Sequence, residues 1–131
     1  MAQPSKTVVI VEDEPDAAEM LAEMMRVSGF RVVKSYSSGP AIKIISSEMP
    51  DVVILDIMMP DISGLEVLRF IRQEPKTAEI PVVVVSAKSM PSDIQIGLDA
   101  GASVYLTKPV GFLDLKNAIE KVTKPENKPT V

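Results

Sequence analysis

Three short runs of apolar, mostly β-branched residues constrain this chain more than any other feature: Val8–Val11, Val52–Leu55 and Val82–Val85. A strand with one wet face alternates apolar and polar residues. These runs do not alternate, so both faces of each strand must be covered. Val104–Leu106 reads as a further strand, and the more mixed Phe30–Tyr36 reads as an edge strand. The segments between them carry helical spacing. Pro15–Ser28 places Ala17, Leu21, Met24, Met25 and Ser28 on one side, with Pro15 suited to a first turn and Gly29 to a stop. Pro40–Ser47 carries Ala41, Ile44 and Ile45; Gly64–Arg72 carries Leu65, Leu68 and Ile71. Pro91–Ala100 carries Ile94 and Leu98; Phe112–Val122 carries Phe112, Leu115, Ile119 and Val122.

The order is strand then helix, five times over. Doubly covered strands alternating with helices predict an α/β fold, a doubly wound five-stranded parallel sheet with helices on both faces. Right-handed crossovers leave few topologies, and the flavodoxin-like order 2-1-3-4-5 is the favoured one. It puts the ligand crevice at the carboxyl ends of strands one and three. The 131 residues suffice for one domain. Residues 1–123 are expected to form it, and the polar, proline-punctuated 124–131 to be a flexible tail or the start of a linker.

Composition narrows the chemistry. The chain has no cysteine and no histidine, which removes thiolate nucleophiles, histidine bases and Cys- or His-ligated metals. Carboxylates, lysines, hydroxyls and an oxygen-ligated metal remain. A net charge of −4 argues against nucleic acid as a direct ligand. No apolar run approaches the ~18 residues of a membrane span, and the apolar stretch before Glu12 is too short for a signal peptide. A cytoplasmic location without membrane contact is the resulting expectation.

The predicted crevice collects chemistry. Strand one runs into Glu12-Asp13-Glu14, strand three into Asp56, strand four into Ser86-Ala87 and strand five into Thr107-Lys108-Pro109. Each alone is ordinary: an acid after a strand is a common helix N-cap, and lysine before proline is a common surface turn. Together they put two or three carboxylates, a hydroxyl and one ammonium on a single rim. Asp56 follows four apolar residues and precedes Ile57-Met58-Met59-Pro60, a setting in which a bare charge is costly unless paired or bound to metal. Oxygen ligands with excess negative charge suit a hard cation such as Mg²⁺.

Four segments carry a resemblance: Val8–Pro15 (VVIVEDEP), Asp51–Leu68 (DVVILDIMMPDISGLEVL), Pro81–Ala87 (PVVVVSA) and Gly101–Pro109 (GASVYLTKP). In order and spacing, from Lys6 to Val122, the chain resembles the CheY-like receiver domains of two-component response regulators. The resemblance implies that Asp56 accepts a phosphoryl group from a phosphohistidine on a histidine kinase or phosphotransfer protein. It implies Mg²⁺ held by Asp13 directly, by Glu12 through water, by Asp56 and by the main-chain carbonyl of Met58. Ser86 would bond one phosphoryl oxygen and Lys108 another, Pro109 would follow a cis peptide bond, and Tyr105 takes the place of the family's aromatic switch. Such a domain catalyses its own phosphorylation and dephosphorylation and is not a turnover enzyme. Its output would pass to a downstream protein through the fourth helix, fifth strand and fifth helix, switched through Ser86 and Tyr105. Kinase helices dock on the first helix of such domains, so Glu14, Ala17 and Met20 are candidate partner contacts. Met20 lies about 80° from the centre of the inward stripe at about 100° per residue.

Other classes fit less well. A flavodoxin needs a hydroxyl- and glycine-rich phosphate loop after strand one, where Glu12-Asp13-Glu14 would repel the ligand. A haloacid-dehalogenase-type phosphatase resembles D-x-D, and the proton donor's position here is Met58. A degenerate receiver that only binds, or a receiver serving as a relay or phosphate store, shares the fold; the expected chemical groups are all present.

Overall fold

The computed structural model describes residues 6–123, so the expected tail at 124–131 lies outside the described residues. The elements alternate without exception: β1 (Thr7–Val11), α1 (Pro15–Val27), β2 (Arg31–Ser35), α2 (Ser38–Glu48), β3 (Val52–Leu55), α3 (Gly64–Gln73), β4 (Val82–Ser86), α4 (Pro91–Asp99), β5 (Val104–Thr107) and α5 (Phe112–Thr123). The strands form one parallel sheet in the order β2-β1-β3-β4-β5. Among the described residues no helix is long and apolar enough to cross a membrane.

Strand periodicity sorts the core into two layers. Val9, Val11, Val53, Leu55, Val82 and Val84 face Ala41 and Ile45 of α2 and Val67, Leu68 and Ile71 of α3. Val8, Ile10, Val52, Ile54, Val83 and Val85 face Leu21, Ala22 and Met25 of α1 and Leu115 and Ile119 of α5. β1 is buried from Val8 onward, and β3 and β4 throughout, because helices cover both faces. β5 is only half-buried, since it is an edge like β2.

Two helices depart from the sequence pattern. The inward stripe of α1 is Ala18, Leu21, Ala22 and Met25, while Ala17 and Met24 are only half-buried. Small alanines let α1 approach the sheet closely, and an apolar count underweights them. The second departure is larger. In α4 only Gly97 is buried; Ile94 is half-buried and Leu98 is exposed, so the expected Ile94–Leu98 inward face is not formed. α2 also starts earlier than the expected Pro40, at Ser38. The Asp61 carboxylate makes this possible by accepting from the Ser38 and Gly39 N–H groups, at 3.0 and 3.3 Å, while Ser38 Oγ donates to Ile62 O at 2.6 Å. Desolvation pushes the Asp61 carboxyl up, but backbone donors at Ile62, Gly39, Asp61 and Ser38 together hold it below its ordinary value.

One glycine sets how closely a helix can approach the rim. A Cβ built on Gly64, at the start of α3, would lie 2.4 Å from Asp56 O and 2.5 Å from Ile57 Cα. Both are backbone atoms and cannot yield cheaply. Gly64→Ala is therefore expected to lower stability by about 1–3 kcal/mol, the cost typical of overpacking. Urea denaturation measures it; an unchanged midpoint would show that the strand end tolerates displacement.

Candidate functional site

Sheet register assembles the site. Val11 pairs with Leu55, so Glu12 and Asp56 leave adjacent strands side by side; Asp56 N donates to Val11 O at 3.0 Å. Ser86 pairs with Thr107, and Lys108 N donates to Ser86 O at 2.8 Å, which sets the lysine beside the serine. The peptide bond between Lys108 and Pro109 is cis, as the resemblance implied.

At the centre, Lys108 Nζ donates to Glu12 Oε1 at 2.6 Å and to Asp56 Oδ2 at 2.9 Å. Glu12 and Asp56 are both buried, 1% and 6% exposed, so this is a desolvated pair of acids held by one cation. The second oxygens are used as well. Asp56 Oδ1 accepts from Met58 N at 2.9 Å, and Glu12 Oε2 from Glu14 N at 3.1 Å. Burial pushes the Glu12 carboxyl above its ordinary value, and the charge of Asp56 adds to that. Hydrogen bonds from Lys108 and Glu14 recover only part. Partial burial alone would lower the Lys108 ammonium, but its hydrogen bonds to Glu12 and Asp56 outweigh this and raise it.

Asp13 sits half-buried beside them, and no described hydrogen bond or ion pair occupies its carboxylate. One carboxylate oxygen from each of Glu12, Asp13 and Asp56 lies within 4.8 Å of the others. An all-oxygen set with three negative charges and one lysine fits a hard divalent cation. Met58 exposes its side chain beside Asp56, 48% accessible, while its main chain is tied to that residue.

Ser86 is buried and its hydroxyl accepts from Lys88 N at 3.1 Å. The Lys88 carbonyl in turn accepts from the Tyr105 hydroxyl at 2.7 Å. Burial raises the Tyr105 phenol above its ordinary value; the nearby Ser86 hydroxyl opposes this, and the Asp93 and Asp56 carboxylates reinforce it. Tyr105 therefore already leans toward the site through one peptide unit.

A groove of about 380 Å³ opens beside Lys108, lined by Ala17, Met20 and Leu21 of α1, Val85, Pro109 and Val110. Ala17 and Met20 thus belong to one wall, whereas Glu14 caps α1 by accepting from Asp16 N and does not line the groove. Pro109 and Val110 form the other wall, which the spacing of the first helix gave no means of finding.

Comparison with known proteins agrees with the geometry. The family model described as the response regulator receiver domain matches residues 8–120. A probable transcriptional regulatory protein from Mycobacterium tuberculosis is 41% identical over 103 residues, covering 79% of this chain and 43% of its own. The chain thus spans less than half the length of that relative. The receiver domain of a signal transduction histidine kinase from Syntrophus aciditrophicus superposes with a TM-score of 0.86 at 26% identity, covering 97% of each chain. That of a sensor histidine kinase from Pseudomonas aeruginosa superposes with a TM-score of 0.85 at 23% identity, over 92% of this chain and 98% of its own. The latter was solved with a magnesium ion coordinated in its active-site cleft.

The strained acid cluster generates a prediction. Glu12's folded-state pKa is raised above its ordinary 4.5. The folded state therefore holds the proton more tightly, and Glu12's contribution to stability falls as pH rises from about that value through the raised one. In metal-free buffer at neutral pH, Glu12→Gln should melt higher than wild type. Adding Mg²⁺ should raise the wild-type melting temperature and narrow that difference. A lower melting point for metal-free Glu12→Gln would contradict this account.

Proposed function

The chain belongs to the response regulator receiver domain family, and from that membership we propose that Asp56 receives the phosphoryl group and that the surrounding residues serve its transfer. The observation that carries the assignment is the position of Asp56: it is buried at the end of the central strand, with Lys108 on one oxygen and two further carboxylates beside it. Asp56 attacks phosphorus, the bond from phosphorus to the donor's imidazole nitrogen breaks, and the electron pair leaves with the imidazole. Such a transfer needs positioning and charge neutralisation more than covalent help.

Lys108 meets the incoming phosphoryl oxygens, since its ammonium already stands at Asp56 Oδ2. Ser86 donates a hydrogen bond from its hydroxyl to another of these oxygens while the same oxygen still accepts from Lys88 N. Asp13, Asp56, the Met58 carbonyl and, through water, Glu12 would hold Mg²⁺, which supplies the remaining neutralisation when bound. The donor is a histidine kinase or phosphotransfer protein whose apolar helix lies in the groove between Ala17, Met20 and Val110, next to Lys108; Glu14 stands exposed at the head of α1. Output passes to a protein partner over α4, β5 and α5, and the acidic balance of the chain favours protein over nucleic acid there. Residues 1–123 act as the signalling module, in the cytoplasm, without substrate turnover.

Two outcomes test this reading. Asp56→Asn should take up no label from acetyl phosphate with Mg²⁺ while keeping the wild-type fold; labelling at the wild-type rate would move the acceptor elsewhere. Met58 presents an apolar side chain where an amide could orient an attacking water. Met58→Asn should therefore shorten the phosphoryl lifetime by about tenfold, a small part of the ~10²–10⁴ that positioned acid–base groups supply. An unchanged decay of the ³²P-labelled protein would remove Met58 from the account.

A further inference from the structure

Gly97 is the one buried residue of α4, and it meets a single neighbour. A Cβ built there would lie 2.7 Å from Cδ2 and 2.8 Å from Cε2 of Tyr105. An ordinary contact between carbons is ~3.5–4.0 Å, so the phenol ring rests on bare helix backbone, closer than any side chain at 97 would allow. The ring is fixed at its far end too, by the hydroxyl's bond to Lys88 O. Lys88 N in turn holds the hydroxyl of Ser86. One continuous chain of contacts thus runs from Ser86 at the rim, through the Lys88 peptide unit and the Tyr105 ring, to the backbone of α4.

We propose that Gly97 is a positioning residue: by leaving α4 bare beneath Tyr105, it lets the ring take the inward place in which its hydroxyl bonds Lys88 O, so that α4 is coupled to the phosphorylation site. The inference rests on the reading of Asp56 as phosphoacceptor for its consequence, but not for its geometry. The atoms that a methyl group at 97 would meet belong to the Tyr105 ring, a side chain that can swing toward solvent. With the ring displaced, the bond to Lys88 O is lost and the Ser86 loop loses its tie to α4. If the inward state is the one that accepts a phosphoryl mimic, apparent affinity falls with its population.

Gly97→Ala separates this role from a merely structural one. Tyr105 ring signals, read by NMR without any phosphodonor, should move toward those of solvent-exposed tyrosine. The midpoint for beryllofluoride in saturating Mg²⁺ should weaken about tenfold if the inward population drops to about a tenth. The wild-type response over residues 86–106 should then no longer include Ile94–Ala100 at the same midpoint as Asp56. Unmoved ring signals overturn the contact; a moved ring with an unchanged midpoint overturns the positioning role. The double-mutant cycle closes the test: in a Tyr105→Ala background, Gly97→Ala should weaken beryllofluoride binding no further, and an equal further loss overturns the proposal. Should Gly97→Ala not fold, the same Tyr105→Ala change should restore folding, and failure to do so overturns it. Loss of Asp56 labelling in the wild type would instead defeat the phosphoacceptor reading while the ring displacement still stood or fell by itself.

Discussion

One ammonium holds the rim together. Lys108 bonds two buried carboxylates from two different strands, Glu12 after β1 and Asp56 at the end of β3. Without a cation between them, two desolvated acids side by side would repel and at least one would take up a proton. Lys108 itself follows β5 at the edge of the sheet, with β3 and β4 lying between that strand and β1. The ion pairs therefore depend on the parallel register of every strand from β1 to β5, and a slip of one residue anywhere would turn a needed side chain to the wrong face. The same dependence makes the site costly: a buried ion pair gains little over apolar packing. The raised carboxyl of Glu12 shows that burial has outrun its compensation.

Much of this was legible in the sequence because it follows from local pattern. Uninterrupted β-branched runs at Val8–Val11, Val52–Leu55 and Val82–Val85 require cover on both sides, and a parallel sheet is what provides it. Once strands are placed, strand ends are placed, and Glu12, Asp13, Asp56, Ser86 and Lys108 converge. What stayed hidden depends on contacts distant in sequence or on missing atoms. Asp61 caps α2 across 23 residues, and nothing around Ser38 announces that its cap comes from another loop. Ala18 and Ala22 outrank Met24 on α1 because close approach rewards small side chains, which apolar counting discounts. Gly97 is a contact surface for Tyr105, and a missing side chain gives no sign of that in the sequence.

The groove beside Lys108 gives the rim a direction of approach. Its lining is mostly apolar, from Met20 and Leu21 of α1 and from Pro109 and Val110, and it includes Lys108. A docked helix would exclude water from the acids just where their electrostatic interactions need strengthening. On the proposed reading, the residues that would bind a donor and the one that would neutralise the transferred group are neighbours in the chain: Pro109 and Val110 follow Lys108 directly. Docking and chemistry would then both be positioned by one turn.

The helices divide into anchored and loosely held. α1, α2, α3 and α5 each bury at least three side chains against the sheet or a neighbouring helix. Burying a Val, Leu or Ile side chain contributes ~1.5–3 kcal/mol, so a few hydrogen bonds at the rim cannot shift such an element. α4 buries only a glycine and leaves Ile96 and Leu98 exposed. Glycine also costs about 1 kcal/mol relative to alanine within a helix. The free energy holding α4 in one position is therefore of the same order as the bonds made or broken at Ser86 and Lys88. A site can bias only an element whose alternatives lie within the differential free energy that it supplies, and by its packing α4 is the helix that best meets this condition, joined to the rim by the tyrosine that rests on it.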